Sequence, residues 1–209
     1  MNRSLTDRLR NGEGAIMIDT LEAVRADIDR CLAHAATDRR RPMHSPVVAT
    51  ADADARVMVL RAFAAETMTL RFHTDVRAPK AAVIGEGAPV GVLFYDREAK
   101  LQIRTRGTGR ILLQGAEVDA AWAESTNFAR RCYLGDGPGS EADGPSSGLP
   151  PQFEGVEPDE AQLIPARENF ALLLVTLEEL DWFTLAHSGH RRARFVREGE
   201  TWPGRWVTP

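Results

Sequence analysis

A polar turn with two cations follows a strand-like segment in the first half of the chain. Residues 70–84 read LRFHTDVRAPKAAVI, and the turn contains Thr74, Arg77 and Lys80. Of the 26 basic residues only Lys80 and Lys100 are lysines, so a lysine stands out in this chain. A threonine hydroxyl donates a hydrogen bond, an arginine binds two phosphate oxygens at once, and a lysine adds a compact charge. The turn is therefore a candidate anion site.

The residues after this turn indicate a short helix. Pro79 suits the first helical turn, and the alanine-rich run up to Gly85 can continue it. Unpaired N–H groups at the start of a helix favour an anion, which strengthens the candidate site. The alternative is a solvated turn whose cations pair with Asp75 or Glu86, as surface charges commonly do.

Three other strand-like segments place arginines on one face. Residues two apart in a strand share a face, because side chains alternate. The sets are Arg56, Met58 and Leu60 opposite Val57, Val59 and Arg61; then Gln102, Arg104 and Arg106; then His190, Arg192 and Arg194. Such residues are ordinary at the solvated ends of strands, on a solvent-facing sheet or along a basic edge strand. They would also suit an aromatic ligand that carries a phosphate.

Several common catalytic and metal-binding motifs are missing from the sequence. The chain contains no HExxH, no GxSxG, no P-loop and no GxGxxG after a strand. Cys31 and Cys132 fit no metal-ligand spacing, so we expect two reduced thiols and no metal site. What remains is a set of arginine-bearing strands, one lysine-bearing turn and late tryptophans, which together suit a phosphorylated, planar cofactor.

Composition narrows the class of protein. The 209 residues suffice for one domain with a core, and the fractions of hydrophobic and charged residues, 43% and 27%, are ordinary for a globular protein. The net charge of −4 argues against a nucleic-acid binder. No apolar run approaches the roughly 20 residues that span a membrane, and the N-terminal residues have no signal-peptide core. We therefore expect a cytoplasmic protein without membrane contact.

Hydrophobic periodicity predicts one helix followed by a run of strands. Apolar residues at helical spacing indicate a helix over about residues 20–36. Alternating segments predict strands at 45–51, 55–63, 67–74, 89–96 and 101–113, then a helix at 117–134 and two or three closing strands. Gly107 and Gly109 suggest a bulge or sharp bend within the fifth strand.

Residues 135–165 differ from the rest, with six glycines and six prolines. A stretch of this kind is usually a linker or a functional loop. Its scattered apolar residues favour an ordered excursion over the surface. We therefore predict a single domain over residues 1–209, a mainly β, antiparallel barrel with helical decoration.

Four motifs in order resemble the landmarks of a known family. RVMVLR, FHTDxRxxK, LQIRxxG and HRxxRF with a following tryptophan are similar to those of the pyridoxamine 5′-phosphate oxidase-like, FMN-binding split barrels. The resemblance runs from about residue 45 to residue 209 and is closer to the oxidase-related branch than to the vitamin-pathway enzyme. It implies a Greek-key split β-barrel that binds FMN at a homodimer interface, where Ser140 would come from the partner chain.

The resemblance also implies roles for individual residues. The cofactor-binding set is Arg56, Val57, Met58, Val59, Leu60, Arg61, His73, Thr74, Arg77, Lys80, Gln102, Ser140, Trp182 and Arg194. Within it, Lys80 would bind the FMN phosphate with Arg77 as a helper, and Gln102 would hydrogen-bond the flavin ring. Arg194 and Trp182 would approach the ring from the C-terminal segment.

The sequence departs from the vitamin-pathway enzymes at three places. Arg61 stands where their first motif ends in lysine, and residues 78–80 read APK in place of SRK. Arg192 stands where a substrate-facing histidine is expected. Arg61, His190 and Arg192 are candidates for orienting a substrate, and no catalytic residue is assigned. The resemblance therefore implies FMN binding more firmly than specificity for pyridoxamine phosphate.

The implied function is that of an FMN-dependent oxidoreductase acting on a small molecule, which can be phosphorylated. In the pyridoxamine-phosphate type of reaction, a hydride passes from the substrate to flavin N5 and dioxygen re-oxidises the flavin. Two alternatives stay open, because fold and cofactor do not fix the reaction. One is a flavin reductase or another oxidoreductase supplied by a nicotinamide donor. The other is a non-catalytic protein that binds flavin or haem.

Overall fold

A computed structural model describes residues 18–185 and 189–209 of the chain. The α-helices of these residues are α1 (Leu21–Thr37), α2 (Pro79–Ile84), α3 (Ala116–Glu124) and α4 (Asn127–Arg130). The strands are β1 (Val47–Thr50), β2 (Ala55–Val57), β3 (Leu60–Ala64), β4 (Thr69–Asp75), β5 (Ala88–Asp96), β6 (Leu101–Leu112), β7 (Phe170–Thr184), β8 (Arg191–Val196) and β9 (Gly204–Val207). None of these helices is long and apolar enough to cross a membrane.

The strands form one antiparallel sheet whose two ends are joined by consecutive residues. The order along the sheet is β2-β1-β5-β6-β7-β4-β3. β2 and β3 lie at opposite ends of this path, although only Met58 and Val59 separate them in the chain. The single strand predicted for residues 55–63 is therefore wrong, because the chain leaves β1 and joins β4 within it. This crossing curls the sheet into a half-barrel.

The long strand β7 belongs to both halves of the sheet. β6 pairs with it on one side along nearly its whole length. On the other side its first half pairs with β4 and its second half with β8, which in turn pairs with β9. The sheet therefore splits at β7, and the mainly β, antiparallel architecture with helices agrees with the sequence.

A bulge in the middle of β7 allows apolar residues of both halves of the strand to face the interior. Gly107 of β6 pairs with Leu177, and Glu178 is the extra residue that follows. A Cβ on Gly107 would lie 2.0 Å from the Thr176 carbonyl oxygen, so only glycine fits there. Because of the extra residue, Leu177 and Leu180 both face the interior although they are three positions apart. The bulge or bend predicted within the fifth strand is therefore found opposite Gly107, and its extra residue lies in β7 instead of β6.

Helix α1 packs on the barrel core and provides a polar contact within it. It begins at the N-cap Thr20, whose side chain accepts the Ala23 N–H at 3.2 Å, close to the predicted start. The residues on its inner face are fully buried in the core: Val24, Ile28 and Leu32. Between them Asp27, 7% exposed, accepts a hydrogen bond from the Trp182 indole at 2.9 Å. This bond fixes α1 to β7.

The helix predicted for residues 117–134 is not continuous. The Ser125 hydroxyl donates to the Ala121 carbonyl oxygen at 2.8 Å just after α3 ends. Thr126 then begins α4 by accepting the Ala129 N–H at 3.2 Å. Hydroxyl side chains offer the backbone alternative hydrogen bonds of this kind and so end one helix and start another. A 3-10 helix, Arg131–Leu134, follows.

Residues 135–165 run over the surface and are held by side chains from the preceding helices. Arg131 donates to the carbonyl oxygen of Phe153 at 2.9 Å. Arg130, itself buried, forms an ion pair with Glu160 at 3.0 Å. The Phe128 N–H also donates to Glu157 at 3.3 Å, so the excursion is attached to the α4 region at several points along its second half.

Candidate functional site

Arg56 of β2 and Lys80 of α2 lie close enough for their positive charges to repel each other. The Arg56 guanidinium donates to Thr50 Oγ1 at 3.0 Å and forms an ion pair with Asp54. Lys80, in the first turn of α2, is half-buried and makes no hydrogen bond or ion pair within the described residues. Burial, together with the positive charge of Arg56, lowers the pKa of Lys80, and the charge of Asp75 offsets this only in part. An anion beside both cations would relieve their repulsion.

The neighbouring Arg77 is already engaged within the chain. Its Nε and Nη2 contact the two oxygens of buried Asp75 at 3.0 and 2.7 Å, and its Nη1 donates to the Gly135 carbonyl oxygen at 2.9 Å. The hydrogen bond with Asp75 is the main reason that the pKa of Arg77 is raised. Thr74 is buried, with its hydroxyl 3.4 Å from the Asp75 carbonyl oxygen. Arg77 is therefore paired with Asp75, as the alternative interpretation of this turn expects. Lys80 has no such partner among the described residues and can bind an anion.

The motif RVMVLR divides into residues that face the core and residues that face outward. Met58 and Leu60 are buried, so only their backbone can reach a ligand. Val57 is 64% exposed and Val59 is half-buried. Arg61 is exposed at a bulge in β3. The predicted alternation is present, and it leaves the outward-facing side chains as the ones able to touch a cofactor or substrate.

The outer faces of β6, β7 and β8 form a ladder of charges. Asp181 accepts from Arg104 at 2.6 Å and from Arg192 at 3.0 and 2.7 Å. Burial opposes ionisation of Asp181, but the bonds from these two arginines outweigh it and lower its pKa. Beside this set, Glu179 pairs with Arg194 at 2.7 Å. Arg192 and Arg194, both predicted to lie near the flavin, therefore already have carboxylate partners.

Gln102 lies in the neighbouring row of the same face. It pairs in register with Tyr95 of β5 and with Phe183 of β7, and Phe183 pairs with Arg192 of β8. The exposed His190 ring lies edge-on to Phe183, with 5.8 Å between the ring centroids. The structure thus brings Gln102, His190 and Arg192 to one face, with two aromatic side chains beside them.

Two residues of the predicted cofactor set lie elsewhere. Trp182 is 2% exposed and faces the core, because alternation along β7 turns it inward where Asp181 faces outward. The structure therefore does not bring Trp182 to the face that holds Gln102. Ser140 lies in the excursion, where its hydroxyl donates to the Gly137 carbonyl oxygen at 2.7 Å. A contribution of Ser140 from a partner chain stays a prediction.

His73 packs against an aromatic cluster that the sequence did not reveal. Its ring meets Phe170 edge-on at a centroid distance of 5.0 Å, and Trp122 and Tyr133 pack against the same phenylalanine. Burial, with the charge of Arg61 adding to it, lowers the pKa of His73 to about 4. Its Nε2 is buried without a hydrogen-bond partner among the described residues. These rings come from three separate parts of the chain, so no local spacing could have predicted the cluster.

Comparison with known proteins bears on this site. Residues 26–113 match the family model described as pyridoxamine 5′-phosphate oxidase, FMN-binding domain. The resemblance predicted from the motifs is confirmed over these residues. The matched segment contains Arg56, Lys80 and Gln102 and ends before the excursion and β7. A search of curated proteins finds no match.

Two solved structures share the fold of the chain. A pyridoxamine 5′-phosphate oxidase-related, FMN-binding protein from Nostoc punctiforme PCC 73102 is 24% identical, with 91% of this chain and 100% of that chain covered and a TM-score of 0.69. PhzG from Burkholderia lata 383, solved in complex with tetrahydrophenazine-1-carboxylic acid, is 18% identical, with 94% and 100% covered and a TM-score of 0.64. The predicted split-barrel fold is confirmed by these likenesses.

The chemistry of the matched segment fits the cofactor of this pyridoxamine 5′-phosphate oxidase-like family. The family model is that of an FMN-binding domain, which supports FMN as the cofactor. The half-buried ammonium of Lys80, which has no partner among the described residues, suits a phosphate. The amide of Gln102 offers both donors and an acceptor to a flavin ring. The roles of the individual residues stay predictions.

Proposed function

We propose that the protein is an FMN-dependent oxidoreductase in which Arg56 and Lys80 bind the FMN phosphate. The observation that supports this is Lys80, which is half-buried beside Arg56 and has no partner among the described residues. Both residues lie in the segment that matches an FMN-binding domain. A phosphate would gain a charge-assisted contact with each cation, worth about 1.5–3 kcal/mol apiece. Thr74, the last residue but one of β4, would add a hydroxyl contact.

The flavin ring is expected near Gln102, with a second copy of the chain covering it. A row of apolar residues crosses the outer face beside Gln102, and strand pairing aligns Val57, Val47 and Leu93 within it. Val57 is 64% exposed and Tyr95 is 44% exposed. Val47 and Leu93 are half-buried beside them, and an apolar patch on an outer face is typical of an association site. We therefore expect a homodimer with the cofactor at its interface.

FMN, when bound, would supply the redox chemistry by accepting a hydride from the substrate, with dioxygen as the final oxidant. The residues of the chain would bind and orient the substrate. Arg61, which is exposed and has no ion pair within the described residues, would attract a substrate anion. His190, exposed beside Phe183, would contact the substrate ring.

A second candidate is an oxidoreductase or flavin reductase that takes electrons from a nicotinamide donor, and the pairing of Arg192 bears on the choice. Arg192 contacts both oxygens of Asp181, at 3.0 and 2.7 Å. A substrate phosphate would have to compete with that carboxylate for the guanidinium, which counts against pyridoxamine phosphate as the substrate. A non-catalytic flavin- or haem-binding protein would retain the cofactor site and reduce its cofactor with neither donor.

The absorption spectrum of the purified protein, with identification of the molecule released by denaturation, tests the cofactor. Released FMN supports the proposal, and a colourless protein that also fails to take up added FMN contradicts it. Anaerobic bleaching of the flavin by pyridoxine or pyridoxamine phosphate would identify the oxidase. Bleaching by NADH or NADPH alone would identify the second candidate, and no bleaching would indicate the non-catalytic protein. Light scattering with and without FMN tests the homodimer.

A further inference from the structure

Arg77 joins two segments that are 58 positions apart in the sequence. Its guanidinium binds both carboxylate oxygens of Asp75, at 3.0 and 2.7 Å, and donates to the Gly135 carbonyl oxygen at 2.9 Å. Its backbone N–H also donates to Asp75 Oδ1, at 2.8 Å. Asp75 is 7% exposed and is the last residue of β4, so this end of the contact is fixed to the sheet. Each of the three guanidinium nitrogens therefore has an acceptor inside the chain.

A glycine-rich turn packs against Arg77 and the start of α2. A Cβ on Gly137 would lie 3.3 Å from the Cβ of Arg77, and a Cβ on Gly139 would lie 3.6 Å from Pro79. Ser140 closes the turn, with its N–H and its hydroxyl donating to the Gly137 carbonyl oxygen at 3.0 and 2.7 Å. The absence of side chains at the two glycines lets the loop lie directly on the residues that precede Lys80.

The same loop is closed at its base by its own backbone. The Asp136 N–H donates to the Gly148 carbonyl oxygen at 2.8 Å. A Cβ on Gly135 would lie 2.6 Å from that oxygen, so the closure depends on glycine there. Residues 140–147 between these contacts are exposed. Few contacts therefore hold residues 135–148, and Arg77 supplies one that involves a charged side chain.

We infer that Arg77 is a positioning residue that couples the turn bearing Lys80 to the loop of residues 135–148, and that it is not a ligand of the phosphate. The inference rests on the proposed function for the identity of the anion. An anion held by Lys80 orders residues 75–80, and Arg77 transmits that order to Gly135. By thermodynamic linkage, a fixed loop strengthens binding of the anion by the same factor.

Hydrogen exchange of residues 135–148, measured by mass spectrometry with and without FMN, tests the coupling. We expect FMN to slow exchange in this segment of the wild-type protein. Arg77→Gln removes the contacts with Asp75 and Gly135, so exchange should rise about 10- to 100-fold and stop responding to FMN. Arg40→Gln is the matched control, because Arg40 binds Asp38 through the same type of paired contact, at 3.0 and 3.3 Å, with its side chain 86% exposed. The control should exchange like the wild type.

The affinity for FMN separates positioning from direct binding. Arg77→Gln should weaken FMN binding less than Lys80→Gln does, because only the coupling is lost. Gly135→Ala is a second variant that opens the base of the loop without altering the Arg77 side chain. It should raise exchange and abolish the response to FMN in the same way, and it carries the test if Arg77→Gln does not fold.

Three results would overturn the inference. Wild-type exchange in Arg77→Gln would show that Arg77 does not hold the loop. A fall in FMN affinity beyond that of Lys80→Gln, with the loop unchanged, would make Arg77 a phosphate ligand. A wild-type protein that binds FMN without any change in loop exchange would refute the coupling. If the wild type binds no FMN, the proposed function fails, and exchange in the unliganded variants still tests the contact between Arg77 and the loop.

Discussion

Mild acid should destabilise the folded protein through the imidazole of His73. Burial against Phe170 and the charges of Arg61 and Arg71 lower the pKa of His73 from 6.5 to about 4. Below pH 6.5 the unfolded chain binds a proton at this position that the folded chain does not bind until about pH 4. Stability is therefore lost as the pH falls from 6.5 towards 4, and it is unaffected by this group at higher pH.

The size of this effect follows from the difference between the two pKa values. Each pKa unit corresponds to about 1.4 kcal/mol, so the change from 6.5 to about 4 sets a ceiling of about 3 kcal/mol. His73 is only half-buried, and solvent screening reduces the contribution. We expect about 1–2 kcal/mol of unfolding free energy to be lost through His73 between about pH 7 and about pH 4.5.

Urea denaturation of the flavin-free protein at these two pH values measures the effect. His73→Phe keeps a ring against Phe170 but cannot titrate, so its unfolding free energy should fall less on acidification, by about 1–2 kcal/mol. The carboxylates titrate in both proteins, and their contributions cancel in the comparison. His34→Gln, at an exposed position of α1, should behave like the wild type. Equal losses in the wild type and His73→Phe would refute the idea that a buried neutral imidazole is responsible.

Three further predictions concern the bulge, the core and the phosphate site. Gly107→Ala should cost about 3 kcal/mol or more in urea denaturation, because its Cβ would meet a carbonyl oxygen at 2.0 Å, whereas Gly144→Ala, with open space around it, should be nearly neutral. Trp182→Phe should cost about 1–3 kcal/mol, since it leaves the buried Asp27 carboxylate without its indole donor, and a loss below about 0.5 kcal/mol would contradict this. Lys80→Gln should raise the Kd for FMN about 10- to 100-fold in a fluorescence titration and leave that for riboflavin, which has no phosphate, nearly unchanged; Lys100→Gln, the control at the other lysine, should alter neither.

Local signals in the sequence were enough to assign most candidate residues to a face. In β6 Ile103 and Thr105 are buried, whereas Arg104 and Arg106 are exposed, as the alternation predicts. Pro79 likewise predicts the start of a short helix, and Lys80 lies in the first turn of that helix as expected. These features depend on residues within a few positions of each other, so periodicity and turn chemistry suffice to predict them.

The roles of other residues depend on contacts that local spacing cannot reveal. Trp182 faces inward to a carboxylate 155 positions away, and Arg77 reaches a carbonyl oxygen 58 positions away. The division of residues 55–63 into β2 and β3 likewise arises from which strands they join. A sequence pattern predicts which face of its strand a side chain lies on. It does not predict the distant group with which that side chain will form a hydrogen bond.

The position of the surface excursion between β6 and β7 affects how such a chain can change over evolution. The two strands pair along their length whatever connects them, and doubling the length of a flexible connection costs only about 0.6 kcal/mol. The exposed part of this connection, residues 140–147, can therefore be lengthened, shortened or exchanged with little effect on the barrel. The same connection contacts Arg77 beside the turn that bears Lys80, so such changes would still affect the proposed phosphate site. Exchange of this one exposed segment would therefore alter the surroundings of Lys80 while the strands of the sheet keep their pairing.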